Sequence, residues 1–201
     1  MPDTPDSTKS KQSIPEGTTS TERSDLSKSK VIPPPRRGPK VELAPTALDA
    51  KGEALSNLIA EMFSDDEINI GTEVDEVTIR IGATHVPYIC DRLKKDSSLQ
   101  FNYFRSLSIV DYIDHLEVNY HLFSYLKRHK LTVKSNLPNQ EPRIPTVTGI
   151  WRAANWFERE GHDLFGVQFD GHPDLAPLLL YEGFEGYPGL KSYPFHDYDE
   201  W

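Results

Sequence analysis

The chain has 201 residues, 37% of them hydrophobic, with a formal net charge of −9 and one cysteine, Cys90. A single cysteine excludes an intrachain disulfide framework and any cluster with four cysteine ligands from this chain alone. Residues 1–44 carry eight Lys/Arg against six Asp/Glu and the remainder 14 against 25, net −11, so the folded part is acidic and argues against nucleic acid or anionic lipid as a partner.

Residues 1–44 contain no aromatic residue; all 21 lie from Phe63 onward. The same stretch holds seven of the 16 prolines and twelve Ser or Thr. It cannot bury enough apolar surface to offset its ordering entropy and is expected to be a disordered tail. Within it, "PPPRRGPK" reads as a solvated linker. No run of 18 apolar residues occurs, so no membrane-spanning helix is expected. With no hydrophobic signal core at the N-terminus, the protein is expected on the cytoplasmic side, in solution or at the membrane.

Next, "APTALDAKGEALSNLIAEMFSDD" spaces Leu48, Leu55, Leu58, Ile59 and Met62/Phe63 near a 3.6-residue period, a helix with Thr46 as its cap. "EVTIRIG" alternates Val77, Ile79 and Ile81 against Thr78 and Arg80, which predicts a strand with one wet face. Residues 84–96 follow as a helix facing Val86, Ile89, Cys90 and Leu93 inward; this setting makes Cys90 a core thiol. "SLSIVDYID" and "LEVNYHLFSYL" read as strands, "KRHK" as a polar turn and "LTVKSNL" as the antiparallel return. The fold expected is α+β: a small two-layer sandwich, helices on one side of a largely antiparallel sheet, followed by a further helix and an extended irregular segment. The α+β domain covers 45–138. Residues 139–201 hold a linker, "PNQEPRIP", then a helical stripe of Val147, Ile150, Trp151, Ala154 and Phe157, then an irregular run from 164 to 201. That run keeps Phe165, Val167, Phe169, Leu175, Tyr181, Phe195 and Trp201, an apolar content that requires it to lie on something.

The run "WRAANWFEREGHDLFGVQFDGHPDL", 151–175, concentrates histidines and carboxylates. Glu158 and His162 share a helix face, but Arg159 stands three before His162, where a carboxylate-bridged di-iron motif needs Glu, and no H-E-x-x-H occurs. Pairing of Glu158 with His162 and of Arg159 with Asp163 along the helix is the expectation. No G-x-S-x-G elbow and no phosphate-binding glycine loop is present. His172, between Gly171 and Pro173, is expected to lock a turn. The alternative is a free-standing hydrolase in which Asp170 or Asp174 pairs with it.

"PTVTGIWRAANWFEREGHDLFGVQFDGHPDL", 145–175, closely resembles the signature of the C subunit of the proton-pumping NADH:quinone oxidoreductase, the respiratory complex I 30 kDa subunit family. The matching positions are Trp151, Ala154, Trp156, Glu158, Arg159, Glu160, Asp163, Phe165, Gly166, Gly171, His172, Pro173, Asp174 and Leu175. More loosely, the likeness covers about 72–196. It departs from the family at Ala176 and Pro177, where two arginines are usual, and at "GYPGLKS", 186–192.

The resemblance implies a structural subunit with no catalytic residue, metal or cofactor of its own, FMN and the iron–sulfur clusters lying in other subunits. It implies a place in the hydrophilic arm, chiefly against the D subunit, which bears the quinone site, and the neighbouring B subunit, with the C-terminal segment wrapped over the former. The signature residues then serve a partner interface, Trp156 and Phe165 as aromatic anchors, and Arg159 is expected to bond carboxylates within the motif or across the interface. The complex passes electrons from NADH, or another donor, to quinone and translocates protons.

Overall fold

A computed structural model describes residues 47–74 and 76–194. The tail over 1–44, the Thr46 cap, Phe195 and Trp201 lie outside the described residues.

Helix α1 (Ala50–Met62) is capped by Asp49, whose carboxylate accepts the Gly52 N–H at 2.7 Å. Asp49 therefore replaces Thr46 as the cap: it satisfies an orphan donor and places negative charge at the positive end of the helix. Leu55 and Ile59, one turn apart, bury with Phe63. A strand that the pattern does not announce follows. β1 (Ile68–Glu73) pairs antiparallel with β2 (Glu76–Ile81), Ile70 opposite Ile79. "INIGTE" has only two apolar residues and a mid-strand Gly71, a weak strand signal by itself; the open edge of β2 supplies the partner that makes it one.

After a 3-10 turn (Ala83–His85), α2 (Val86–Lys95) buries Val86, Ile89, Cys90 and Leu93, the four its spacing predicts. Burial pushes the Cys90 thiol well above its usual range, with the Glu158 charge adding to it, so it stays protonated. Pro87 sits in the first turn and Arg92, Lys94 and Lys95 in the last, where each suits the helix end it occupies.

Strands β3 (Tyr103–Asp111), β4 (His115–Phe123) and β5 (Lys130–Pro138) form an antiparallel meander, β3 opening three residues before Ser106. A bulge between Phe104 and Ser106 turns both Phe104 and Leu107 to the core. The sheet order is β1-β2-β5-β4-β3, and β2–β5 is its one parallel pair. Ile79, Val133, Tyr120 and Leu122 build one face into the core shared with α1 and α2. The other face is polar. There Glu117 is almost wholly buried because Arg80 at 2.9 Å and Lys134 at 3.3 Å neutralise it.

The expected linker ends in a strand. β6 (Arg143–Pro145) pairs in parallel with β7 (Gln168–Asp170), Ile144 opposite Phe169, both buried. Two prolines and a three-residue length hide this strand from any periodicity. The stripe from Val147 also divides: 147–153 form turns, with the N–H groups of Ile150 and Trp151 both donating to the Val147 carbonyl, and α3 (Ala154–Phe165) begins only at Ala154. Val147 and Trp151 still enter the core, but through turns. Beyond Asp170 the described residues contain no further helix or strand. Leu175 and Leu190 of that irregular run pack on the core, so part of what the apolar segment lies on is the chain itself.

Candidate functional site

Helix α3 carries half of the signature and lies close against β3. Gly161 permits this approach: a Cβ there would stand 2.6 Å from Ile109 Cδ1 and 3.4 Å from the Phe169 ring. The two tryptophans of the signature have opposite fates. Trp151 is buried, its indole N–H donating to the Phe101 carbonyl at 3.0 Å and its ring 5.6 Å from that of Phe104. Trp156 is 63% exposed.

Glu158 points inward from α3 and is fully buried. Its carboxylate accepts the Val147 N–H at 2.8 Å and the Thr146 hydroxyl. Thr146 in turn accepts the Thr148 N–H at 3.1 Å. One glutamate thus ties the first turns of the signature to its helix. Desolvation pushes its carboxyl up to about 7, against the opposing pull of those two hydrogen bonds. His172 Nε2 stands 4.0 Å from the same carboxylate.

The histidine is itself committed to backbone. Nε2 donates to the Asn155 carbonyl at 3.3 Å while Nδ1 accepts the Asp174 N–H at 3.1 Å, which assigns the neutral Nε2–H tautomer. Desolvation comes first in holding the ring below its usual pKa, opposed by the bond to Asn155 and aided by the nearby Arg159. Neither aspartate of the hydrolase alternative pairs with the His172 ring through its carboxylate: Asp174 contributes only its N–H, and Asp170 pairs with Arg143. Gly171 sits at φ +82°, a left-handed value that lets "DGHPD" turn sharply enough to bring His172 back to α3.

The far end of α3 clamps the irregular run. Asp163 Oδ2 accepts the N–H groups of Leu178, Leu179 and Leu180 at 3.1, 2.7 and 2.9 Å. Desolvation raises the Asp163 carboxyl, but these three bonds together hold it below the usual aspartate range. Arg159 donates from Nε to the Ala176 carbonyl and from Nη2 to the Pro177 carbonyl, each at 2.9 Å, with its guanidinium 5.8 Å from the Trp156 ring. Within the chain Arg159 bonds carbonyls and not the carboxylates of the motif, and neither expected pair, Glu158–His162 or Arg159–Asp163, forms. Backbone groups of a segment with no regular structure need partners, and these side chains supply them. His162 donates from Nδ1 to the Val167 carbonyl at 3.0 Å. Glu160, half-buried, makes none of these contacts.

The segment then returns. Gly166, at φ +74°, ends α3, and the Tyr187 ring lies where a Cβ would meet it at 2.7 Å. Gly189 donates its N–H to the Leu164 carbonyl at 2.9 Å and abuts the Phe165 ring, while the Lys191 N–H reaches Asp111 at 2.8 Å. Thr146, Asn155, Asp111 and Tyr187 thus belong to the site although no motif singles them out; they act through single bonds or a ring face, which leave no spacing in the sequence. The structure brings together Glu158, Arg159, Asp163, Gly166 and His172, leaves Trp156, Pro173 and Asp174 exposed, and sends Trp151 to the core. Among the described residues no group of three or more His, Cys, Asp or Glu is placed to hold a metal ion.

Comparison with known proteins agrees with this architecture. The second C subunit of NADH-quinone oxidoreductase from Rhizobium etli is 36% identical over 145 residues, covering 71% of this chain and 77% of its own. The C subunit from Geobacter sulfurreducens is 36% identical over 145 residues, covering 70% and 88%. Among solved structures, a chain of the membrane-bound sulfane sulfur reductase, an archaeal respiratory membrane complex, superposes with a TM-score of 0.62 at 26% identity, covering 72% of this chain and 86% of its own. The family profile described as respiratory-chain NADH dehydrogenase, 30 Kd subunit, matches residues 79–199. With the profile spanning β3 to β5, α3 and the clamped segment, the chain belongs to the 30 kDa subunit family of respiratory-chain NADH dehydrogenase, the C subunits of NADH-quinone oxidoreductase.

Proposed function

We propose that this chain is a non-catalytic structural subunit of the hydrophilic arm of the complex, on the cytoplasmic side of the membrane, holding no flavin or iron–sulfur group itself. It supports electron transfer from NADH, or another donor, to quinone coupled to proton translocation. Its chief partners in this reading are the quinone-site D subunit and the B subunit. One observation carries the reading: Arg159 and Asp163 are committed to the backbone of 176–180, and the segment so held leaves Trp156, Leu179, Tyr181 and Tyr187 in solvent. Large aromatic and aliphatic side chains set on a fixed backbone are what a buried interface uses as anchors. His172, with both ring nitrogens bonded to backbone, supports a positioning role over proton transfer.

The test is the double variant Trp156→Ala/Tyr181→Ala, with assembled complex measured on a native gel and quinone-reductase activity normalised to it. The expected result is less assembled complex with near-normal turnover in what assembles. Normal assembly with collapsed turnover would place these residues on the reaction path and overturn the reading.

A further inference from the structure

The opposite end of the sheet from the Asp111 turn carries a different surface. Between β4 and β5 the loop Ser124–His129 is pinned at its base: Ser124 N–H donates to the His129 carbonyl at 3.0 Å, Arg128 N–H to the Ser124 carbonyl at 2.8 Å, and Lys127 N–H to the Ser124 hydroxyl at 3.2 Å. This rigid tip holds Leu126 70% exposed and Tyr125 54% exposed. The Tyr125 ring packs edge-on against Phe123 at 5.2 Å and tilts on exposed Tyr103 at 5.1 Å, so three rings make one shelf. Arg128 sits at φ +59°, where glycine would be free of strain, and its guanidinium lies 5.9 Å from the Phe123 ring.

Charge sets the tip apart. Lys127, Arg128 and Lys130 fall within four residues in a folded part whose net charge is −11. Lys51 from α1 joins them, close enough with Lys127 to act on His129. Lys130 pairs with Glu76 at 3.6 Å; among the described residues Lys51, Lys127 and Arg128 have no carboxylate partner. Exposed leucine and tyrosine beside unpaired cations are not what solubility or a hairpin turn requires.

We propose that the β4–β5 hairpin tip, with Tyr103 and Lys51, is a second docking surface, and that its occupant is an acidic segment of another protein subunit. A short acidic segment senses charge within the Debye length, about 8 Å at physiological ionic strength, and so meets the local cations. An anionic bilayer is repelled on approach by the surplus of carboxylates over the rest of the domain. The chain's own residues 1–44 carry net +2 and are not the complement. Leu126 and the tyrosine shelf supply the desolvated centre, and the cations form its rim. The inference rests on family membership in a multi-subunit enzyme and is independent of the C-terminal anchors.

The test places the photo-cross-linking residue p-benzoylphenylalanine at Leu126 in cells that assemble the complex, followed by sequencing of the adduct. The expected product joins one other subunit at a peptide with carboxylates near the attachment point. Lys127→Glu/Arg128→Glu should cut its yield about tenfold, and converting those carboxylates to lysine should restore it. Should the reversal lower the melting temperature of the chain, Lys127→Gln/Arg128→Gln replaces it, with a smaller drop expected. A lipid or nucleic-acid adduct, an adduct at a peptide without carboxylates, no adduct in assembled complex, or a yield indifferent to charge overturns the proposal. None of these outcomes bears on Trp156 and Tyr181.

Discussion

Glu158 is a carboxyl with no solvent exposure on a helix that begins at Ala154. On a helical wheel it is one charged residue among several, and its natural partner is His162 one turn on. In the fold it is the buried hinge of the signature, bonded to Thr146 and Val147. Its carboxyl, pushed up to about 7 from 4.5, binds a proton more tightly in the folded than in the unfolded chain. Stability from this group is therefore fully present below about pH 4.5 and is lost as pH rises toward 7, about 3 kcal/mol across that window at 1.4 kcal/mol per tenfold. Glu158→Gln keeps the shape and removes the titration. Compared with the parent chain, its melting temperature should gain with pH from 4.5 to 7 and then level off; a difference independent of pH would show that the carboxyl is not perturbed. The comparison isolates Glu158 from His172, whose depressed pKa acts in the opposite direction.

At the scale of elements, α3 and the irregular run form one unit. Asp163→Ala removes the shared acceptor of three N–H groups. Hydrogen bonds to a charged group contribute about 1.5–3 kcal/mol each in net terms, less where the freed donor reaches water. The expected outcome is faster hydrogen exchange at Leu178–Leu180, with the amides of β4 and β5 unchanged; protection lost equally everywhere would mean that the clamp is part of the global core. Gly166→Ala tests the other tie. It adds about 1–2 kcal/mol of left-handed strain and drives a methyl into the Tyr187 ring. Thermal unfolding should show destabilisation by at least the strain, and Tyr187→Ala should relieve the part due to the ring, a non-additive pair in a double-mutant cycle. The main elements were legible because each has a period long enough to read: α2 shows its inward face directly, and β4 and β5 read as strands. β1, β6 and β7 were not, because strands that are only three residues long or interrupted by glycine are made by the partner edge they meet, not by their own composition.

For the whole molecule, assembly depends on what holds the C-terminal segment and on what that segment presents. Arg159→Lys keeps the charge but not the fork that reaches the Ala176 and Pro177 carbonyls from two nitrogens. Less assembled complex is expected, with activity per complex near normal and the melting temperature of the chain little changed, since one bond is exposed and the other only partly buried. Full assembly in this variant would mean that the segment docks without its clamp. Arg159 holds Ala176 and Pro177 by their carbonyls, which depend on backbone position and not on side-chain identity.

By itself the sequence determined the α+β class, the inward faces of α1 and α2, the strands β4 and β5, and the family through the 151–175 run, because these rest on periodicity and on residue identity in order along the chain. Only the tertiary structure decided that Trp151 enters the core while Trp156 faces solvent, and that Arg159 and Asp163 hold backbone in place of each other. It likewise decided that the irregular run rests partly on the chain's own core. The reason is physical: a side chain with several possible partners takes the one whose desolvated groups would otherwise go unpaired, and which groups those are depends on segments brought together from 15 or more residues away.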